Sequence, residues 1–292
     1  MEKAVIHRPV RYSEVAGLMS RPTFAKYYRK VAGTIYLHRD QADDPDLVAE
    51  ALLMRCPHGM LRGFAALSNM GFTLNVDGWT PIISIPRTSP AIRAHRGAIL
   101  RLVEEDVHMI NGRRTVTAVQ AVVDILARPD SWGRYRDGAR IEEQVAVLDH
   151  LVRQKLDLFG RLRKDPRTAG ITALVNPLAE SRPESIVRVR LHRAGFKEWK
   201  PQIRVRGREG FYFVDLGDPI LKVGIEYQGA HHFDRDARAR DAQRANDLRW
   251  AGWSILEVTS TILNSETEWR KVLARVGEEV GLARQQRTSR IA

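Results

Sequence analysis

With 292 residues, 43% of them hydrophobic and 28% charged, the chain has the composition of a soluble globular protein and the length of two or three domains. No run approaches the roughly 18 apolar residues of a bilayer span, the opening residues carry no apolar signal core, and the lone Cys56 can form neither an internal disulfide nor a cysteine-rich zinc site. The expectation is a cytoplasmic protein with no membrane partner, and the excess of 47 Lys and Arg over 35 Asp and Glu, a net charge of +12, points to a polyanion such as DNA.

Residues 1–75 read as short helices with a basic middle. Val15, Leu18 and Met19 recur at helical spacing within 12–19, and a turn at Ser20 to Pro22 follows. Thr23 then caps a second helix running through Lys30, with Phe24, Tyr27 and Val31 on one face. The β-like run from Gly33 to Leu37 can serve as a wing. Helix, turn, helix and strand are the order of a winged helix-turn-helix, and Arg21, Lys26, Arg29 and Lys30 lie on or near the helix that meets DNA in such a fold. A small helical subdomain with a solvated basic face explains the same pattern.

Further along, 46–54 and 61–70 have helical periodicity, while 79–86 and 99–107 read as strands. An apolar helix over 115–126 stops before Pro129. One long helix is expected over 141–162, with Val145, Leu148, Leu151, Val152 and Leu156 on one stripe and a break at Lys164 to Arg167. The style changes near Asn176, which sets the expected division into 1–75, a mixed β and helical middle of 76–175, and 176–292.

In the last region, Ser181-Arg182-Pro183-Glu184 opens a helix that runs to Ala194, with Gly195 as its stop. Strands follow at 201–206, 211–216 and 222–228, with turns at Gly207 and at Gly217 to Pro219 that make them antiparallel neighbours. A helix over 236–250 leads to a strand over 254–258, and a crossover of that length suits parallel pairing.

Alternation then places side chains. In 222–228, Val223, Ile225 and Tyr227 share the apolar face, so Glu226 and Gln228 stand together on the other. Asp215 shares a face with Phe213 and Phe211 on the preceding strand, and a short turn lets it meet Glu226. Two carboxylates on neighbouring strands repel unless a proton or a cation lies between them. Mg²⁺ prefers hard oxygen ligands and accepts one or two carboxylates alongside waters and phosphate oxygens. Gln228 can orient an attacking water but cannot take its proton. Glu184 stands three residues after Ser181, as a capping box requires.

Phe213 to Asp215, then Lys222 to Gly229, then His232, Asp241, Arg244, Leu248 and Gly252-Trp253 resemble the very-short-patch-repair-like group of PD-(D/E)xK nucleases. The resemblance spans about 181–258 and implies an αβββαβ restriction-endonuclease-like core. It further implies Asp215 and Glu226 as ligands of Mg²⁺ or Mn²⁺, Glu184 as an outer carboxylate, and His232 as a proton-transfer or phosphate-contacting group. Gln228 departs from the Lys usual at that position. More loosely, the start of the chain, Leu61 to Gly71 and Arg114 to Asp124 resemble antitoxins of the abortive-infection type IV family, which implies DNA binding.

The sequence therefore leads to a multidomain protein of α+β and α/β character, with a winged-helix-like front and an Mg²⁺-dependent DNA endonuclease at the back. Its alternative is a non-catalytic DNA-binding regulator that keeps the nuclease-like fold. Oligomeric state and protein partners stay open, as does the choice of DNA over RNA.

Overall fold

A computed structural model describes residues 6–90, 92–101, 106–133, 140–208, 210–229 and 235–291. They form a mixed α and β chain with three sheets and no barrel. Among them no helix is long and apolar enough to cross a membrane. The chain divides into two compact units, Met1–Arg140 with Gln154–Ala173, and Ile141–Arg153 with Leu174–Ala292.

The first unit opens with β1 (Val10–Arg11), α1 (Tyr12–Val15), α2 (Arg21–Tyr27), β2 (Tyr28–Ala32) and β3 (Ile35–His38). These strands pair antiparallel in the order β1-β3-β2. α1 is shorter than expected, and Leu18 lies exposed beyond its end. The cap of α2 is Ser20 rather than Thr23, and Pro22 sits in the first turn, where its missing amide costs nothing. The helix does not reach Lys30. Tyr28 leaves it to stack on Phe24, ring centroids 4.5 Å apart, and the aromatic and β-branched run that follows favours extended backbone. Tyr27 is accordingly turned outward, away from the Phe24 face. Gly33, at φ +54°, and Thr34 make the two-residue turn between β2 and β3.

Next come α3 (Pro45–Arg55), β4 (Met60–Arg62), α4 (Gly63–Asn69), β5 (Ile82–Ile85), β6 (Ala98–Arg101), β7 (His108–Ile110), β8 (Arg113–Thr115) and α5 (Ala118–Ala127). Five of these strands form one sheet in the order β6-β5-β4-β8-β7. It takes strands from both sides of residue 75, so the expected separation of 1–75 from 76–175 runs through a continuous sheet. Leu61 and Arg62 are strand residues, and Gly63, at φ +54°, turns the chain into α4. Thr115 likewise ends a strand, and Thr117 caps α5 by accepting the Gln120 amide. Buried between these elements, Phe64 meets Trp132 edge-on, and the Arg62 guanidinium grips Asp124 through Nε and Nη2 at 2.9 and 2.8 Å.

The long helix expected over 141–162 is two helices, α6 (Ile141–Gln154) and α7 (Leu156–Lys164), followed by α8 (Ala169–Thr172). The break has a local cause. Gln154 hydrogen-bonds both the amide and the carbonyl of Thr73, and Lys155 donates to the Met70 carbonyl while covering the Phe72 ring. Lys155 takes extended backbone to do so, and Leu156 is left 65% exposed, so the apolar stripe ends at Val152.

The second unit contains α6 up to Arg153, α9 (Arg182–Arg193), β9 (Lys200–Arg206), β10 (Phe211–Asp218), β11 (Val223–Gln228), α10 (Arg235–Trp250), β12 (Ser254–Thr259), α11 (Ser260–Leu263) and α12 (Glu266–Ile291). Its sheet has the order β12-β11-β10-β9, antiparallel except for the parallel pair of β11 and β12. Element order and pairing are those the sequence leads one to expect for αβββαβ. On one face, Leu216, Ile225 and Val258 pack with Ile186 and Leu191 of α9 and with Trp269 and Val276 of α12. On the other, Val205 and Val214 pack with Leu248 of α10 and with Trp253. α6 is tied to α9 by ion pairs of Glu142 with Arg190, Glu143 with Arg182 and Asp149 with Arg188.

Candidate functional site

The alternation of β10 slips by one at Asp215. Val214 belongs to the core under α10, yet Leu216, two residues on, belongs to the core under α9 and α12. Regular alternation puts residues i and i+2 on the same face. On β9 the position opposite Asp215 is Gln202, between the pairs Val214↔Ile203 and Leu216↔Pro201, and it adopts φ +52°. This left-handed backbone is uncommon outside glycine and marks a local irregularity of the kind found at functional sites. Asp215 therefore does not simply continue the face of Phe213 and Phe211. Its Oδ2 accepts the Tyr227 amide at 2.9 Å, just past the last ladder pair of β10 and β11.

Glu226, at the equivalent level of β11, is buried, 7% exposed. Burial is the largest cause that raises its pKa from 4.5 to about 7; the Arg244 guanidinium opposes the rise, and Asp215, Glu257 and Asp241 add to it. Burial also raises the pKa of Asp215, against the Tyr227 hydrogen bond, and Glu184 contributes in the same sense. Asp215 thus stands close enough to Glu226 to disfavour the Glu226 charge.

The ion-pair partner of Glu226 is Arg244. Lys222 donates to the Ala251 carbonyl at 2.8 Å, at the far end of α10. Arg244 Nη2 stands 2.7 Å from Glu226 Oε1 and donates to the Phe213 carbonyl. Alignment toward the carboxylate is poor, so that buried Oε1 lacks a properly directed hydrogen bond. The spacing of Asp241 and Arg244 on α10 suggests an exposed helical pair; instead the arginine reaches across to the sheet.

A cavity of about 390 Å³ opens beside this contact, lined by Glu226, Gln228, Asp241, Arg244, Ser254 and Glu257 among others. Gln228, half-buried at the end of β11, faces the same space. Glu257 is a carboxylate that sequence reasoning passed over. Parallel pairing sets it directly beside Glu226, a register no pattern in the strand itself discloses. Among the described residues, no three His, Cys, Asp or Glu side chains converge as a ready metal cluster.

Glu184 does cap its helix. It accepts from the Ser181 hydroxyl at 2.8 Å and from the Glu180 amide at 3.1 Å. It also takes a hydrogen bond from Gln202 Nε2 at 3.1 Å, which ties the helix start to the strand irregularity opposite Asp215. His232 lies outside the described residues. In the first unit, Arg21 and Lys26 are exposed on α2, whereas Arg29 and Lys30 are exposed on β2 rather than on a helix. Arg21 and Lys26 lie over the rings of Tyr12 and Tyr27, respectively.

No protein-family model, curated protein or solved structure matches the chain.

Proposed function

We propose that the second unit is a divalent-metal-dependent endonuclease of the PD-(D/E)xK kind and that the first unit, with its β1-β3-β2 sheet behind a short helix pair, is a winged-helix-like module that holds DNA. The observation that carries this reading is the Asp215–Glu226 pair, two carboxylates with raised pKa values on adjacent strands, one with a buried oxygen that lacks a hydrogen bond. Burying such an atom costs about 1–3 kcal/mol unless a proton or a cation satisfies it. The donor set fits Mg²⁺ or Mn²⁺, which take hard oxygens and complete their shell with waters and phosphate oxygens.

When bound, such an ion supplies a lowered water pKa and stabilisation of the leaving oxygen. The side chains do the rest. Asp215 and Glu226 would hold the cation, with Glu226 fully available to it only as pH rises past about 7. Gln228 orients a water by hydrogen bonding and takes no proton. Glu184 positions Gln202 and adds negative potential at Asp215. His232 would assist proton transfer or contact a phosphate. Arg244 offsets part of the negative charge beside Glu226.

A second reading has an observation of its own. Arg244 places a positive charge where a cation would bind, and Gln228 replaces a lysine, as in a DNA-binding protein that keeps the fold without the chemistry. Plasmid nicking separates the two. Incubation with Mg²⁺ or Mn²⁺ should convert supercoiled DNA to the nicked form, chelator should stop it, and Asp215→Ala should lower the rate by on the order of a thousandfold. Retardation of DNA in a gel without any metal-dependent cleavage would establish the second reading instead.

A further inference from the structure

The β9–β10 hairpin has an outer face that the packing of the second unit does not use. Phe211 and Phe213 are 53% and 51% exposed there. Their directly paired neighbours on β9 are Arg206 and Arg204, both exposed. The result is a two-by-two patch of alternating ring and guanidinium. The Arg204 guanidinium carbon stands 3.7 Å from the centroid of the Phe211 ring. Val205, Tyr212 and Val214, the intervening residues, point the other way into the core under α10. Among the described residues no carboxylate pairs with Arg204 or Arg206.

We propose that this face binds single-stranded nucleic acid by stacking unpaired bases on Phe211 and Phe213 while Arg204 and Arg206 meet the phosphates. Flat aromatic rings interleaved with unpaired positive charge fit a polyanion with exposed planar bases. A duplex offers the phosphates but keeps its base faces stacked, so the rings select unpaired strand. Phe213 lies two residues from Asp215 along β10, about 7 Å at the rise of a strand, and the Phe213 carbonyl anchors Arg244. The placement of this surface beside a reaction centre rests on the nuclease reading; the binding itself does not.

The test uses the full chain in chelator, so that nothing is cleaved, with fluorescence anisotropy on a labelled single-stranded 20-mer and on the same sequence as duplex. Phe211→Ala with Phe213→Ala should weaken single-strand binding by roughly tenfold or more and leave duplex binding within about threefold. Phe213→Trp, which keeps a stacking ring, should retain wild-type affinity. Arg204→Ala should weaken both complexes and flatten their salt dependence. Both phenylalanines are exposed, so thermal melting should confirm that the variants fold. Wild-type protein that fails to bind the single strand, or alanine variants that bind it unchanged, would overturn the proposal. Loss of stacking in a protein that never cuts DNA would refute the nuclease reading alone, and cleavage with unaltered single-strand binding by the variants would refute this one alone.

Discussion

Two buried arginine–carboxylate contacts, one in each unit, differ in a way that separates structure from function. Arg62 and Asp124 meet fork to fork through two well-formed hydrogen bonds, with Gln120 donating to the same carboxylate, and both side chains are nearly inaccessible. Arg244 meets Glu226 through one short, misaligned approach; its side chain is 32% exposed and the contact borders a cavity. The first is closed at the carboxylate: both oxygens of Asp124 accept hydrogen bonds, although Arg62 Nη1 donates none. The second leaves a buried oxygen unsatisfied and a proton held to about pH 7. A raised pKa alone does not make that distinction. Burial also raises Asp149, but its oxygens accept from Arg188 and the Asn176 amide, and it joins α6 to α9. Both oxygens of Asp124 and of Asp149 accept hydrogen bonds, whereas Glu226 Oε1 beside the cavity does not.

The contrast is broken most severely at the closed pair. Arg62→Ala strands Asp124 in the core and should cost about 3–5 kcal/mol, read as a fall in urea midpoint; Arg244→Ala should cost far less by the same measurement. The next effect concerns pH. Glu226 binds its proton more tightly folded than unfolded, so its contribution to stability is complete below about pH 4.5 and disappears as pH rises to about 7, on the order of 3 kcal/mol in all. Glu226→Gln should remove that dependence, and thermal melts at pH 5 and pH 8 should then lie closer together than in the wild type. Arg244→Ala removes the charge that holds the Glu226 pKa down, so the pH range of the loss should move upward. The smallest effect is at the helix start: Glu184→Ala should destabilise by about 1 kcal/mol through its cap, a shift of a few degrees in melting temperature.

Legibility from sequence followed the length and regularity of the elements. The strands of the second unit lie between clear turn residues, and Ser181-Arg182-Pro183-Glu184 carries its own cap, so element order could be read directly. Periodicity does not say which core a helix serves. α6 belongs with α9 because Glu142, Glu143 and Asp149 meet arginines about forty residues away, and no local pattern encodes that. β7 and β8, three residues each, are too short to show alternation. At the site, the role of Arg244 was hidden by its plausible helical pairing with Asp241. Glu257 was hidden by a parallel register that only the folded sheet fixes. The slip at Asp215 depends on φ at Gln202, a residue type that announces no such conformation.

The most direct test of the account is calorimetric titration of Mn²⁺ into the full chain at pH 6 and pH 8, for wild type, Asp215→Ala and Glu226→Gln. Binding should be clear at pH 8, markedly weaker at pH 6 where the Glu226 proton competes, and lost in both variants. Binding of equal strength in wild type and variants, or a wild type that takes up no ion at pH 8, would contradict it.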